Sequence, residues 1–466
     1  MNLVIGFLWR RVGRSGDRPR TRGSAPLCAT LTLGVMGWAG DRPVPPMVEL
    51  ARTAAPEFFA DAILRLVHGG KIPPRDLQVE LLEDAFAAAS GAKEPIRLIG
   101  LPGIPPDTRE IYRSKAGELG LDALSLQSRI LREMVTLDRP KARAMFERIA
   151  RPKLEPRPCA EALIADASPY YEAAALMAQS TFTDREKESE LHVQFLSAVL
   201  AGARSPNELA AYAHALPSVA LSNAQWRLLV AGIAAKLETI PADYRPFAMS
   251  LDAMQSELAT LMDLARANQL GADELAQAFR QYLVHQLKAP RCGPDLALGL
   301  DQIGWLRPPL SEEETAPDKR NESYTIDRVY FANGDAKSIG DSLMRLRAAN
   351  RPGAFSDFLR DFAAWQPDGS EIDVFHQKST IVRALLEITR PGEDRDRALK
   401  LCIAFLQSSQ AERANPAEWL WEAGAMADMA GADRPKLIAA FEASASVSLS
   451  LYAKLGYFGS SSGTSK

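Results

Sequence analysis

The chain has 466 residues, of which 47% are hydrophobic and 24% charged, with a formal net charge of −3. That is the balance of a globular protein with ample core material. It supplies no basic field to draw nucleic acid or an anionic membrane surface. The four cysteines form no CxxC pair and no Cys/His cluster, which argues against zinc and iron–sulfur sites.

Charge is uneven along the chain. Residues 1–40 hold Arg10, Arg11, Arg14, Arg18, Arg20 and Arg22 against the single acid Asp17, so the remainder is mildly acidic. An apolar run from Ala25 to Ala39 follows, with small residues at Gly37 and Ala39. A basic stretch, a short apolar run and a small-x-small exit form the pattern of a secretory signal. The run falls short of the roughly 20 residues that span a bilayer. Residues 1–40 are therefore expected to be a cleaved signal or a disordered arm, and the mature chain to be secreted or periplasmic, the alternative being cytoplasmic.

Helical periodicity dominates after residue 47, and residues 41–290 are expected to form a first helical block. Ala123, Leu126, Ile130, Met134 and Leu137 share one helix face, as do Ala142, Met145, Phe146 and Ile149. The stripe recurs at Trp226, Leu229, Val230, Ile233 and Leu237, then at Met254, Leu258, Leu261, Met262 and Ala265, and at Leu275, Phe279, Tyr282 and Leu283. Apolar residues three and four apart must be buried against another helix. Thr183 with Glu186, Ser205 with Glu208, and Ser222 with Gln225 have the spacing of a capping box. Gly120, Gly271 and Gly431 mark turns between helices. Ile96 to Pro106, apolar but rich in Pro and Gly, reads as a packed connecting loop.

Residues 291–335 break the pattern and read as an irregular linker. They contain Cys292, Trp305, the acidic run Ser311–Glu314 as a solvated segment, and a short strand from Tyr324 to Ala332. Cys159 and Cys292 both sit in Pro-containing loop sequence, where they are free to pair in an oxidising compartment. Cys402 lies in an apolar helical run and reads as a buried thiol. Residues 336–458 return to helical spacing, with Phe355, Phe358, Leu359 and Phe362 on one face. The tail 459–466 is expected to be disordered.

One short pattern recurs. Asp138-Arg139-Pro140-Lys141 precedes Ala144, Phe146, Glu147 and Ala150; Asp433-Arg434-Pro435-Lys436 precedes Ala439, Phe441, Glu442 and Ala445. Each reads as an Asp-capped helix with Pro near its start. Here the sequence resembles the tetratricopeptide-type α-solenoids, whose second helix carries an Ala-x-x-x-Phe feature matched by Ala142 and Phe146. The first-helix Trp, Leu-Gly and Tyr positions of that family are not reproduced. The resemblance implies an all-α fold of antiparallel helix pairs stacked as a degenerate solenoid, and partner binding. It implies no particular contact residues.

His68, His192, His214, His285 and His376 are far apart, and none has HExxH spacing. The chain contains no Walker loop, dinucleotide glycine fingerprint or GxSxG elbow. No catalytic, cofactor or metal residues are assigned. Trp365, Trp419, Trp421 and Tyr452 are the candidates for a partner-binding groove, since aromatics anchor interfaces, with core packing as their alternative role. The expected function is a helical scaffold that binds a protein or peptide, without nucleic acid, cofactor or membrane span. The alternative is an all-α enzyme whose catalytic residues are dispersed over a concave surface.

Overall fold

A computed structural model describes residues 45–100, 108–154, 163–290, 308–316, 334–348 and 353–459, with isolated positions between 298 and 306. The signal-like segment, Cys159, Cys292, the 324–332 strand and nearly all of the tail lie outside the described residues.

Among the described residues the chain is mostly α, built from packed helix pairs. In order these are α1 (Pro46–Arg52), α2 (Pro56–His68), α3 (Arg75–Ala89), α4 (Thr108–Gly117), α5 (Ala123–Leu137) and α6 (Arg139–Phe146). Next come α7 (Ser168–Ser180), α8 (Asp184–Glu188), α9 (Leu191–Ala201), α10 (Pro206–Ala215), α11 (Asn223–Thr239), α12 (Tyr244–Asn268) and α13 (Ala272–Leu287). After the short α14 (Glu312–Thr315) follow α15 (Gly334–Ala348), α16 (Ala354–Ala364), α17 (Glu371–Ile388) and α18 (Glu393–Ser408). The chain closes with α19 (Ala411–Ala414), α20 (Pro416–Met429), α21 (Arg434–Glu442) and α22 (Val447–Lys454).

The apolar stripes are buried as their spacing requires. On α11, Trp226, Leu229, Val230, Ile233 and Leu237 are inside; on α12, so are Met254, Leu258, Leu261, Met262 and Ala265. Helices close in chain order pack together: α5 on α7, α7 on α10 and α10 on α12, and likewise α9 on α11 and α11 on α13. The C-terminal helices do not simply continue this series. α22 packs on α1 and α2, and α20 packs on α4, so the last helices of the chain rest on the first.

Among the described residues two short strands interrupt the helices, β1 (Leu98–Gly100) and β2 (Leu163–Ala165). They pair antiparallel, with Ile99 opposite Ile164. This corrects the loop expected over Ile96–Pro106 for residues 98–100; three residues are too few to display the period-2 alternation that marks a strand. Side chains from the surrounding helices satisfy the outer carbonyls of β2: Asn207 Nδ2 donates to Ala165 O at 2.5 Å and Arg245 donates to Leu163 O at 3.3 Å.

The expected caps form at Thr183–Glu186 and Ser222–Gln225, each with both reciprocal bonds. The expected box at Ser205 does not form. There Ser205 Oγ donates to the Glu208 carboxylate at 3.0 Å rather than accepting from the helix, and that carboxylate also accepts from Tyr171 OH at 3.1 Å and from the Arg204 N–H at 2.9 Å. The two Asp-Arg-Pro-Lys segments also part company. Asp138 caps α6 by accepting from the Lys141 N–H, whereas Asp433 accepts from Arg395 Nε at 2.8 Å. Within the acidic run Glu312 and Glu313 are exposed, Ser311 caps the short α14, and Glu314 pairs with Arg280 at 2.9 Å.

Between α12 and α13 the backbone turns left-handed twice, at Gln269 (φ 56°) and Gly271 (φ 82°). Leu270 N–H donates back to Ala265 O at 2.8 Å, the six-to-one bond that closes a helix end. Glycine adopts that conformation without a Cβ penalty, and glutamine does not. Gln269→Gly is therefore expected to stabilise the protein by about 0.5–1 kcal/mol, read as a rise in the urea midpoint at unchanged slope.

Candidate functional site

Polar and ionisable groups concentrate where the first and last helices meet. Helix α20 is apolar around most of its circumference, yet Glu418 and Glu422, four residues apart, lie on buried positions. Helix α17 faces it with His376, Thr380 and Arg383, which follow one another along a helix face. Helix α4 contributes Tyr112.

The geometry is tight. His376 Nε2 stands 2.7 Å from Glu418 Oε2, but the approach is not aligned for a hydrogen bond, so the two form a close pair in which neither is properly solvated. The Tyr112 ring stacks on His376 at 4.1 Å between centroids, and Trp421 meets the same tyrosine edge-on at 5.4 Å. Arg383 donates to Tyr112 OH at 2.8 Å, and its Nε lies 3.3 Å from Glu422 Oε2. Tyr112 OH also lies 2.9 Å from Thr380 Oγ1. Among the described residues neither oxygen of Glu422 has an aligned donor. Burial, opposed by Arg383 and assisted by Glu418, pushes its carboxyl up to about 7.

A second carboxyl joins from the chain's beginning. Asn415 makes no side-chain cap to α20; instead Glu94 Oε1 accepts from the Ala417 N–H at 2.6 Å. An acceptor at a helix start satisfies an orphan donor whichever part of the chain supplies it. Burial pushes Glu94 up to about 7, the Ala417 bond opposing it, with Glu418, Glu57 and Asp122 adding like charge nearby. A crevice of about 30 Å³ is lined by Glu94, Asp122, Glu418, Arg97 and Arg113 among others. That volume is on the scale of one water and far below a substrate pocket.

Beside this cluster lies a second tie between the chain's ends. Asp61 on α2 is wholly buried and accepts from Arg65 at 2.7 Å, from Arg129 at 2.6 Å and from Tyr452 OH at 3.1 Å. Burial alone would raise its carboxyl; Arg65 and Arg129 outweigh burial and hold it below the usual range. Phe58 sits between Trp419 at 6.0 Å and Tyr452 at 5.2 Å. Trp419 Nε1 donates to Leu406 O at 3.2 Å.

Of the four aromatics read from the sequence, Trp419 and Tyr452 are fully buried, Trp365 is buried beside Phe362, and Trp421 is partly buried against Tyr112. Trp419, Trp421 and Tyr452 meet the chain's own first helices, α2 and α4, and Trp365 stands apart at the end of α16. Cys402 is a buried thiol, as read from the sequence; burial pushes it up to about 12, which keeps it unreactive. Sequence reasoning missed Glu94, Tyr112, His376, Arg383, Glu418 and Glu422. The available signal was two glutamates one turn apart in the apolar stretch of α20 before Asp428, where a charge at a buried position needs a partner.

A separate cleft of about 520 Å³ opens beside α16 and the α17–α18 turn, lined by Arg347, Arg390, Arg397, Glu393 and Asp394 among others. Charges of both signs line it, and Arg397 is engaged by Ser356 at 2.9 Å and Asp394 at 3.4 Å. Among the described residues no group of three His, Cys, Asp or Glu is placed to hold a metal ion, and no helix is long and apolar enough to cross a membrane. No family model matches the chain, and neither the curated proteins nor the solved structures contain a significant match to it.

Proposed function

We propose that the protein is a helical-repeat scaffold that binds a protein or extended peptide, and that it works after export. The observation that carries this reading is the serial packing of α5 on α7, α7 on α10 and α10 on α12, alongside that of α9 on α11 and α11 on α13. Serial packing of helices close in chain order is compatible with the building scheme of an α-solenoid, which leaves a continuous surface for an extended partner. The Ala142 and Phe146 pattern supports the same scheme, since both residues are buried on α6. Export rests on the basic and apolar pattern of residues 1–40.

Cross-linking in the native cell, capture of the tagged protein and mass spectrometry test it. One dominant, stoichiometric partner, with no peptides recovered before Gly40, is the expected result. The absence of any enriched partner overturns the scaffold reading. The constellation of His376, Glu418, Glu422, Tyr112 and Arg383 favours the second reading, an all-α enzyme, because acid, base and cation converge there. Turnover of a substrate by the purified protein, abolished by His376→Ala with the fold retained, would establish it in place of the first.

A further inference from the structure

We propose that the junction of α4 and the Glu94 segment with α17 and α20 is a proton-operated latch, closed while Glu94 and Glu422 carry protons and loosened when both ionise. The idea goes beyond the scaffold reading and does not depend on it.

Three observations carry the latch. First, the junction joins parts of the chain more than 250 residues apart: Tyr112 to Thr380 and Arg383, and Glu94 to the Ala417 N–H. Closing it therefore ties the α4 end of the chain's beginning to α17 and α20, beside the separate Asp61–Tyr452 tie. Second, the acids outnumber their cations. Around Glu422 stand Glu418 on its own helix, Arg383 on α17, Tyr112 on α4 and the Cys402 thiol on α18. Around Glu94 stand Glu418, Glu57 and Asp122, with Arg97 and Arg113 lining the same crevice; His376 faces Glu418. Third, Glu422 is wholly buried with no aligned donor to either oxygen. A carboxyl so placed is tolerated neutral and costly as an anion.

The direction follows from linkage. Both carboxyls are pushed from 4.5 up to about 7 in the folded state, chiefly by burial. The closed junction therefore binds more protons than the open one. Its extra stability is fully present below pH 4.5 and is lost as pH rises through about 7. For shifts of that size, the opening constant rises about 30-fold per acid between roughly pH 5.5 and 8.5.

Hydrogen exchange with mass spectrometry on the full chain reads this directly, after correction for the intrinsic pH dependence of exchange. Protection of peptides from α4, α17 and α20 is expected to fall at least ten-fold over that range, while peptides from α11–α13 hold theirs. The double variant Glu94→Gln/Glu422→Gln, neutral at every pH and still able to accept from the Ala417 N–H, is expected to lose the dependence. Three results would overturn the latch: flat protection at the junction in the wild type, an equal fall in α11–α13, or an undiminished fall in the double variant. Should the double variant not fold, the wild-type comparison between junction and α11–α13 decides alone.

Discussion

Asp61→Ala is expected to destabilise the protein by about 3 kcal/mol, the lower end of what breaking a buried ion pair costs. The side chain is wholly buried and serves Arg65, Arg129 and Tyr452 at once. Its loss leaves two guanidinium groups and a buried hydroxyl without their acceptor. The arginine side chains are about a third exposed (36% and 34%), so water recovers part of their solvation and keeps the cost from the upper end. Asp61→Asn retains the shape and one acceptor, and should fall between wild type and alanine. The pH dependence separates charge from packing. Because the folded carboxyl is held below its ordinary 3.8, its contribution is fully present above that pH and diminishes as pH falls from there through the lowered folded value. Urea titrations at pH 7 and near pH 3 should therefore show the gap between wild type and Asp61→Asn closing in acid.

Trp419→Ala is expected to cost about 3–5 kcal/mol, the range for emptying a large aromatic site. Trp419 is fully buried, its ring faces Phe58 on α2, and its Nε1–H satisfies Leu406 O. Alanine removes contact between the chain's beginning and end, and leaves a buried carbonyl short of a donor. Trp419→Phe keeps most of the contact but not the donor, and should lose roughly 1–2 kcal/mol. Chemical denaturation with a single transition checks both. A Trp419→Ala variant within about 0.5 kcal/mol of wild type would mean this ring is not a core anchor.

The helices were legible because their signals are local. Stripes such as Trp226–Leu237 and Met254–Ala265 fix which face is buried, and Thr183 and Ser222 fix where a helix starts. Ser205 shows the limit of such signals. Its hydroxyl donates to Glu208 at 3.0 Å instead of accepting from the helix backbone, and Glu208 also serves Tyr171, 37 residues away, which no local spacing reveals. The same limit hid the junction. His376 and Glu418 are 42 positions apart and Tyr112 and Thr380 are 268 apart, so no motif joins them. The three-residue strands β1 and β2 were invisible for want of length. Trp419, Trp421 and Tyr452 stood out by chemistry as interface anchors, and the structure places them where the chain meets itself.

The claim beneath these expectations is that the first and last helices form one cooperative unit. A double-mutant cycle on Asp61→Asn and Tyr452→Phe, residues 391 positions apart and joined by a 3.1 Å hydrogen bond, tests it most directly. The predicted result is a coupling energy of about 0.5–3 kcal/mol. Additive single effects, within about 0.3 kcal/mol, would place the two side chains out of contact in solution and contradict the closure of the chain's end on its beginning.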